Sequence, residues 1–241
     1  MPVHLNYKIL RSKRIFKPLK WLFIIFFLFV LAFFTFVEIS NINTAKMTTK
    51  QKILKTVYPF FIWFSSKNNT AIKQLSKDNI IPPVSFYSLK DTTINGMPFN
   101  FEILKGKKVM LVNTASNCGY TNQYDDLQKL SELYNDRLVV IGFPANNFKE
   151  QEKGTNEEIA DFCKKNFDVT FPLMKKSSVL QDGNQNSIFN WLTDSTKNGW
   201  NTILPSWNFC KYLVDEEGRL TNYFGPAIEP LGKEIIEAVT H

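Results

Sequence analysis

The apolar positions of this chain fall into two different patterns. Residues 21–37 read W-L-F-I-I-F-F-L-F-V-L-A-F-F-T-F-V, an apolar run interrupted only by Thr35. At about 1.5 Å per residue the run covers roughly 25 Å, and the flanking turns at Lys20 and Glu38 bring it close to the roughly 30 Å of a hydrocarbon core. This predicts one membrane-spanning helix over residues 21–38. A cleaved signal peptide is the alternative, but the run exceeds a usual h-region and the nearest small-residue site, Thr44-Ala45, has Asn43 at its −3 position. The uncleaved anchor is the better reading.

From residue 84 the period changes repeatedly. Residues 84–89 and 98–104 bracket a turn-rich stretch, residues 91–96, and predict a hairpin. Residues 109–114 (V-M-L-V-N-T) suit a strand buried on both faces. Tyr120, Tyr124, Leu127, Leu130 and Tyr134 then recur at helical spacing, and residues 138–143 (L-V-V-I-G-F) form a second buried strand. Thr155 and Glu158 fit a capping box for a helix carrying Ile159, Phe162, Cys163 and Asn166. Residues 209–214 and 220–224 predict a second hairpin, and Pro230 opens a last helix through Val239. This order predicts an α/β thioredoxin-like fold, a central mixed sheet flanked by helices, preceded by one transmembrane helix.

The organisation expected is a basic cytoplasmic tail (1–20), the span (21–38), a juxtamembrane and linker segment (39–80) and a thioredoxin-like domain (81–241). Within the third segment, residues 57–64 (V-Y-P-F-F-I-W-F) are too short to span and lie near Lys46, Lys50, Lys52, Lys55 and Lys67. They suit the headgroup layer or packing against the domain equally well. Residues 67–78 are polar and read as a linker.

Composition refines this picture. The 241 residues, 44% apolar and 21% charged, suit one folded domain and something smaller. The net charge of +7 falls to +1 without Lys8, Arg11, Lys13, Arg14, Lys17 and Lys20. Basicity therefore belongs to the tail, and no nucleic-acid partner is expected. Lys and Arg before the span orient the N-terminus to the cytoplasm and the following domain to the extracytoplasmic side.

Histidine occurs only at positions 4 and 241, which argues against histidine-dependent nucleophiles and against zinc sites, and no metal is expected. Neither G-x-G-x-x-G nor a P-loop is present. The remaining reactive residues are Cys118, Cys163 and Cys210, without a C-x-x-C pair. Cys118 lies between a strand and a helix expected to start near Thr121, so that helix's positive end should lower its thiol pKa. An unperturbed thiol is about 3% ionised at pH 7, and one brought to about 6 is roughly 90% ionised. Cys163 shares the apolar face of its helix and reads as core, while Cys210 has no assignable face.

Three segments together resemble the glutathione peroxidase family, in its cysteine-containing, non-selenium, bacterial-type branch: N-T-A-S-N-C-G-Y-T (113–121), F-P-A-N-N-F-K-E-Q-E (143–152) and W-N-F-C-K-Y-L-V-D (207–215). T-N-E-E-I (155–159) and F-D-V-T-F-P (167–172) agree with it as well. The resemblance implies a peroxidatic cysteine at Cys118 and an active-site tetrad completed by Gln151, Trp207 and Asn208, with the Gly119 amide in support. A site without histidine must hold its thiolate by neutral N–H donors, and these residues supply them. The implied activity is reduction of hydrogen peroxide or organic, including lipid, hydroperoxides. A thiol of the glutathione or thioredoxin type would be the co-substrate, with no bound cofactor. The chain departs from many relatives at Ala145, Asn147 and Lys149. The resolving cysteine of thioredoxin-dependent relatives aligns at Lys164, one position from Cys163, and one residue on a helix is about 100°. Cys163 is thus the nearest candidate for a resolving cysteine, off the required face. A membrane-tethered thioredoxin-fold sensor or binding module with little turnover is the alternative reading, and a metallochaperone is disfavoured because no C-x-x-x-C pair is present.

Overall fold

The computed structural model describes residues 16–42, 44, 47–67, 73–75 and 80–241. Most of the predicted basic tail, and residues 68–72 and 76–79 of the predicted linker, lie outside these. The chain divides after Ile42 into two units.

The first unit holds α1 (Phe16–Ser40). Within it, Lys20–Ser40 is long and apolar enough to cross a membrane. Its large side chains, among them Trp21, Phe23, Phe27 and Phe29, are exposed. The one hydroxyl in the run, Thr35, donates back to the Leu31 carbonyl at 2.9 Å, so no polar group is left unsatisfied there.

The second unit opens with α2 (Thr49–Lys67). A reciprocal cap starts it: Thr48 N–H donates to Gln51 Oε1 at 2.8 Å, and Gln51 N–H donates to Thr48 Oγ1 at 3.3 Å. Pro59 removes one rung of the ladder midway. Gln51, Tyr58 and Ile62 recur on one face and are buried, whereas Phe60 and Phe64 are exposed. The aromatic stretch 57–64 is therefore helical, with one side packed on the domain. β1 (Lys73–Leu75) follows, inside the stretch expected to be a linker, and pairs antiparallel with a strand near the C-terminus.

β2 (Lys90–Thr92) and β3 (Pro98–Asn100) form the first hairpin, shorter than predicted because residues 86–88 and 101–104 close into single 3-10 turns. β4 (Lys108–Thr114), α3 (Gln123–Leu133) and β5 (Leu138–Pro144) make the β-α-β unit, with β4 and β5 parallel. α4 (Asn156–Phe167) carries the predicted capping box, in which Thr155 and Glu158 each bond the other's backbone N–H. Two short helices, α5 (Ser187–Leu192) and α6 (Ser195–Asn198), have no counterpart in the sequence reading. β6 (Lys211–Val214) and β7 (Leu220–Phe224) form the second hairpin, and α7 (Lys233–Thr240) starts later than Pro230.

The five-stranded sheet has the order β1-β7-β6-β4-β5. With helices packed on its faces, this is the thioredoxin-like arrangement. All seven residues of β4 are buried, and they alternate: Met110 and Val112 face the core shared with α3, α4 and α7, while Val109 and Leu111 face the core shared with α5. Gly142 of β5 is required by close approach, since a Cβ there would lie 2.6 Å from Leu173 Cδ2. That contact lets residues 172–174 bond Gly142 on both sides and cover the outer edge of β5.

Candidate active site

Three segments meet at one end of the sheet. β4 and β5 are parallel, so the segments after them emerge on the same side, and β6 runs antiparallel to β4, so the segment before it starts there. These segments carry Cys118, Gln151, and Trp207 with Asn208. Asn113, a buried polar residue near the end of an apolar strand, fastens the third. Its Nδ2 donates to the Trp207 carbonyl at 2.9 Å, its Oδ1 accepts from Cys210 N–H at 3.0 Å, and its own carbonyl accepts from Phe209 N–H. Asn117 N–H donates to the Gln151 carbonyl at 3.1 Å and fastens the second.

The Cys118 turn is self-supporting. Cys118 N–H donates to Thr121 Oγ1 at 3.0 Å, and that hydroxyl donates to the Ala115 carbonyl at 2.8 Å. The sulfur is completely buried and accepts from Tyr120 N–H at 3.4 Å. The Trp207 indole and Asn208 carboxamide and the Gly119 backbone N–H also favour its thiolate form. Burial outweighs these donors and pushes the Cys118 thiol up. The expected depression of its pKa is therefore reversed: the helix begins two residues later than predicted, at Gln123, and Cys118 is fully buried.

Gln151 differs from the sequence reading. Its Oε1 accepts from Asn208 Nδ2 at 2.9 Å, and its amide makes no hydrogen bond to the sulfur. It orients Asn208 rather than donating to the thiolate. Both supporting segments carry left-handed backbone next to these residues, at Lys149 and Glu150 (φ 49°) before Gln151 and at Phe209 (φ 68°) after Asn208. Non-glycine residues in this region cost about 1 kcal/mol or more and are retained where surrounding contacts enforce them. The half-buried Trp207 ring rests against Phe148, with centroids 5.5 Å apart, and under Lys149 Nζ at 5.7 Å.

Glu152 had no role in the sequence reading. It is buried beside the turn and accepts from Ser116 Oγ at 3.1 Å. Burial raises its carboxyl to about 7, opposed by the Ser116 bonds and Lys176. An acid next to the conspicuous Gln151 was the available signal; its burial was not.

The other cysteines are also buried and free. Cys163 lies in the same core as Cys118 but lines a different cleft, with Val169 and Phe171, and burial pushes its thiol up to about 12. Cys210 faces the opposite core, where Tyr223 Oη donates to its sulfur at 3.3 Å. Among the described residues no group of three or more His, Cys, Asp and Glu could hold a metal ion.

Comparison with known proteins agrees with this geometry. The family described as glutathione peroxidase matches residues 86–193. Glutathione peroxidase-like peroxiredoxin GPX5 of Chlamydomonas reinhardtii is 46% identical over 60% of this chain and 89% of its own length. The glutathione peroxidase homolog BsaA of Staphylococcus epidermidis is 42% identical over 61% of this chain and 92% of its own. The crystal structure of Trgpx in apo form superposes with a TM-score of 0.50 at 32% identity, covering 66% of this chain and 97% of that one. A DsbF homologue from Corynebacterium diphtheriae shares the fold at a TM-score of 0.51 and 16% identity, over 70% of this chain and 91% of its own. With the Cys118 turn, the Gln151 loop and the Trp207-Asn208 segment joined at one sheet end, and with relatives matched over nearly their whole length, the chain belongs to the glutathione peroxidase family.

Proposed function

We propose that this protein is a thiol-dependent peroxidase in which Cys118 attacks the peroxide. The observation that carries the reading is the convergence of N–H donors from Tyr120, Gly119, Trp207 and Asn208 on one sulfur. The thiolate attacks a peroxide oxygen, an S–O bond forms and the O–O bond breaks. Sulfur loses two electrons, and the leaving oxygen takes a proton to become water or an alcohol. The donors that favour the thiolate are placed to stabilise this developing oxyanion. The resulting sulfenic acid at Cys118 condenses with an outside thiol, releasing water, and a second thiol cleaves the mixed disulfide to restore Cys118. Hydrogen peroxide and organic hydroperoxides are the substrates, and the relatives' names, which join glutathione peroxidase with peroxiredoxin, support a thiol reductant. Cys163, in its separate cleft, favours an external reductant over an internal disulfide.

We further read α1 as a single-pass anchor with the N-terminus cytoplasmic and the peroxidase domain across the membrane, supported by the length of the apolar helix and the Lys and Arg before it. Steady-state peroxide consumption with a thiol reductant tests the activity. The wild-type chain is expected to turn over many equivalents and Cys118→Ser none. Consumption that stops after one equivalent would favour a sensor, and normal turnover by Cys118→Ser would overturn the assignment.

A further inference from the structure

Helix α2 takes no part in this chemistry and lies outside the family match at residues 86–193, yet it packs directly on the Cys118 turn. Gln51 Nε2 donates to the Ser116 carbonyl at 3.0 Å. The Phe61 ring meets Tyr120 edge to face, with centroids 5.0 Å apart, and lies within 4 Å of where a side chain on Gly119 would begin. Lys55 pairs with Asp125 at 3.7 Å and stands 4.9 Å from the centre of the Phe167 ring. Met47, Gln51 and Leu54 on one side and Phe162 and Phe167 on the other wall a narrow cleft with Cys118 in its lining. The free space inside that cleft holds about one water.

We propose that α2 covers the peroxidatic sulfur and sets the size of peroxide the site accepts, with Leu54 and Phe61 as specificity-determining side chains. The proposal rests on Cys118 being that sulfur. Hydrogen peroxide, close to water in size, enters the closed cleft with small adjustments. An organic hydroperoxide with a bulky apolar tail reaches Cys118 only when the first half of α2 swings outward, and its tail then replaces Met47 and Leu54 against Phe162 and Phe167. The rung missing at Pro59 separates this half from the second, whose Ile62 stays buried in the domain. Opening also admits water to the thiol and relieves the burial that raises its pKa.

The test compares the full-length chain with Leu54→Ala/Phe61→Ala, both positions being partly exposed. In the variant, kcat/KM for cumene hydroperoxide is expected to rise about tenfold, with less than about a twofold change for hydrogen peroxide, and alkylation of Cys118 by N-ethylmaleimide, read by mass spectrometry, to rise about tenfold. Phe64→Ala, on the exposed side of α2, should change none of these. Equal gains for both peroxides, or unchanged alkylation, would overturn the cover. If no form consumes either peroxide, the peroxidase reading fails, while alkylation still judges the cover. Should the double variant not fold, the wild type decides: alkylation of Cys118 must slow steeply from iodoacetamide to bulky maleimides in buffer and lose that size dependence in urea. A flat size dependence in buffer contradicts the cover.

Discussion

Cys118 and Cys163 lie in one core on the same face of the sheet, both are fully buried, and burial pushes both thiols up. What surrounds each sulfur differs. Cys163 sits inside α4, where backbone N–H groups are committed to the helical ladder. Only the nearby Tyr124 hydroxyl favours its thiolate, and the Glu152 carboxylate opposes it. Cys118 sits in a turn ahead of α3, where backbone N–H groups are free to face the sulfur and where Trp207 and Asn208 arrive from a distant segment. On the assignment proposed for Cys118, depth in the core therefore does not separate the reactive cysteine from the others. The supply of N–H donors does, and a strand-to-helix turn supplies what a helix interior cannot.

Removing donors should break this contrast most strongly. Asn208→Ala is expected to cost about 10²- to 10³-fold in kcat/KM for peroxide, the scale of losing one oxyanion donor. Because the thiolate is the reactive form, rate rises with pH, and the lost donor moves that rise to higher pH. Gln151→Ala should shift it in the same direction by less, and the two losses should not add, since Gln151 acts through Asn208. A pH profile unmoved by Asn208→Ala would remove the donors from the account.

The Glu152 carboxylate opposes ionisation of Cys163, so Glu152→Gln sharpens the comparison through stability. Its folded-state carboxyl near 7 lies above the model-compound value of 4.5. The folded state thus favours the protonated form, and stability falls as pH rises from about 4.5 to about 7, where the buried charge appears. Glu152→Gln removes that loss: urea denaturation should show little change at pH 4 and a gain of up to about 3 kcal/mol at pH 8. A gain at pH 4 equal to that at pH 8 would contradict the carboxyl's placement. The smallest effect belongs to Cys163→Ala, expected to leave peroxide turnover with an external thiol within about twofold and to cost about 1 kcal/mol of stability for the deleted buried sulfur. A turnover loss as large as that of Asn208→Ala would make Cys163 a participant.

Much of this architecture was legible in the sequence. The buried strands β4 and β5, the Thr155–Glu158 box of α4 and the β6–β7 hairpin each follow from local period or capping chemistry, which short-range physics decides. The Cys118 turn followed from its place between a strand and a helix. Helix α2 did not: its apolar residues run together at 57–64 instead of recurring at helical spacing, Pro59 argues against a helix, and the informative pair, Thr48 and Gln51, lies ahead of them. β1 is three residues of K-Q-L and owes its strand form to the open edge of β7. The direction of the Cys118 pKa was illegible for a related reason. It depends on burial by segments distant in the sequence, and no local pattern around position 118 encodes that. Likewise the amide of Gln151 could be assigned to the site, but whether it faced the sulfur or Asn208 depends on side-chain geometry alone.

The most direct measurement is peptide mass spectrometry of the reduced full-length protein after one equivalent of hydrogen peroxide in the presence of dimedone, which captures sulfenic acids. The account predicts the dimedone adduct on Cys118, with Cys163 and Cys210 left as free thiols. An adduct on Cys163 or Cys210 with Cys118 unmodified would contradict it.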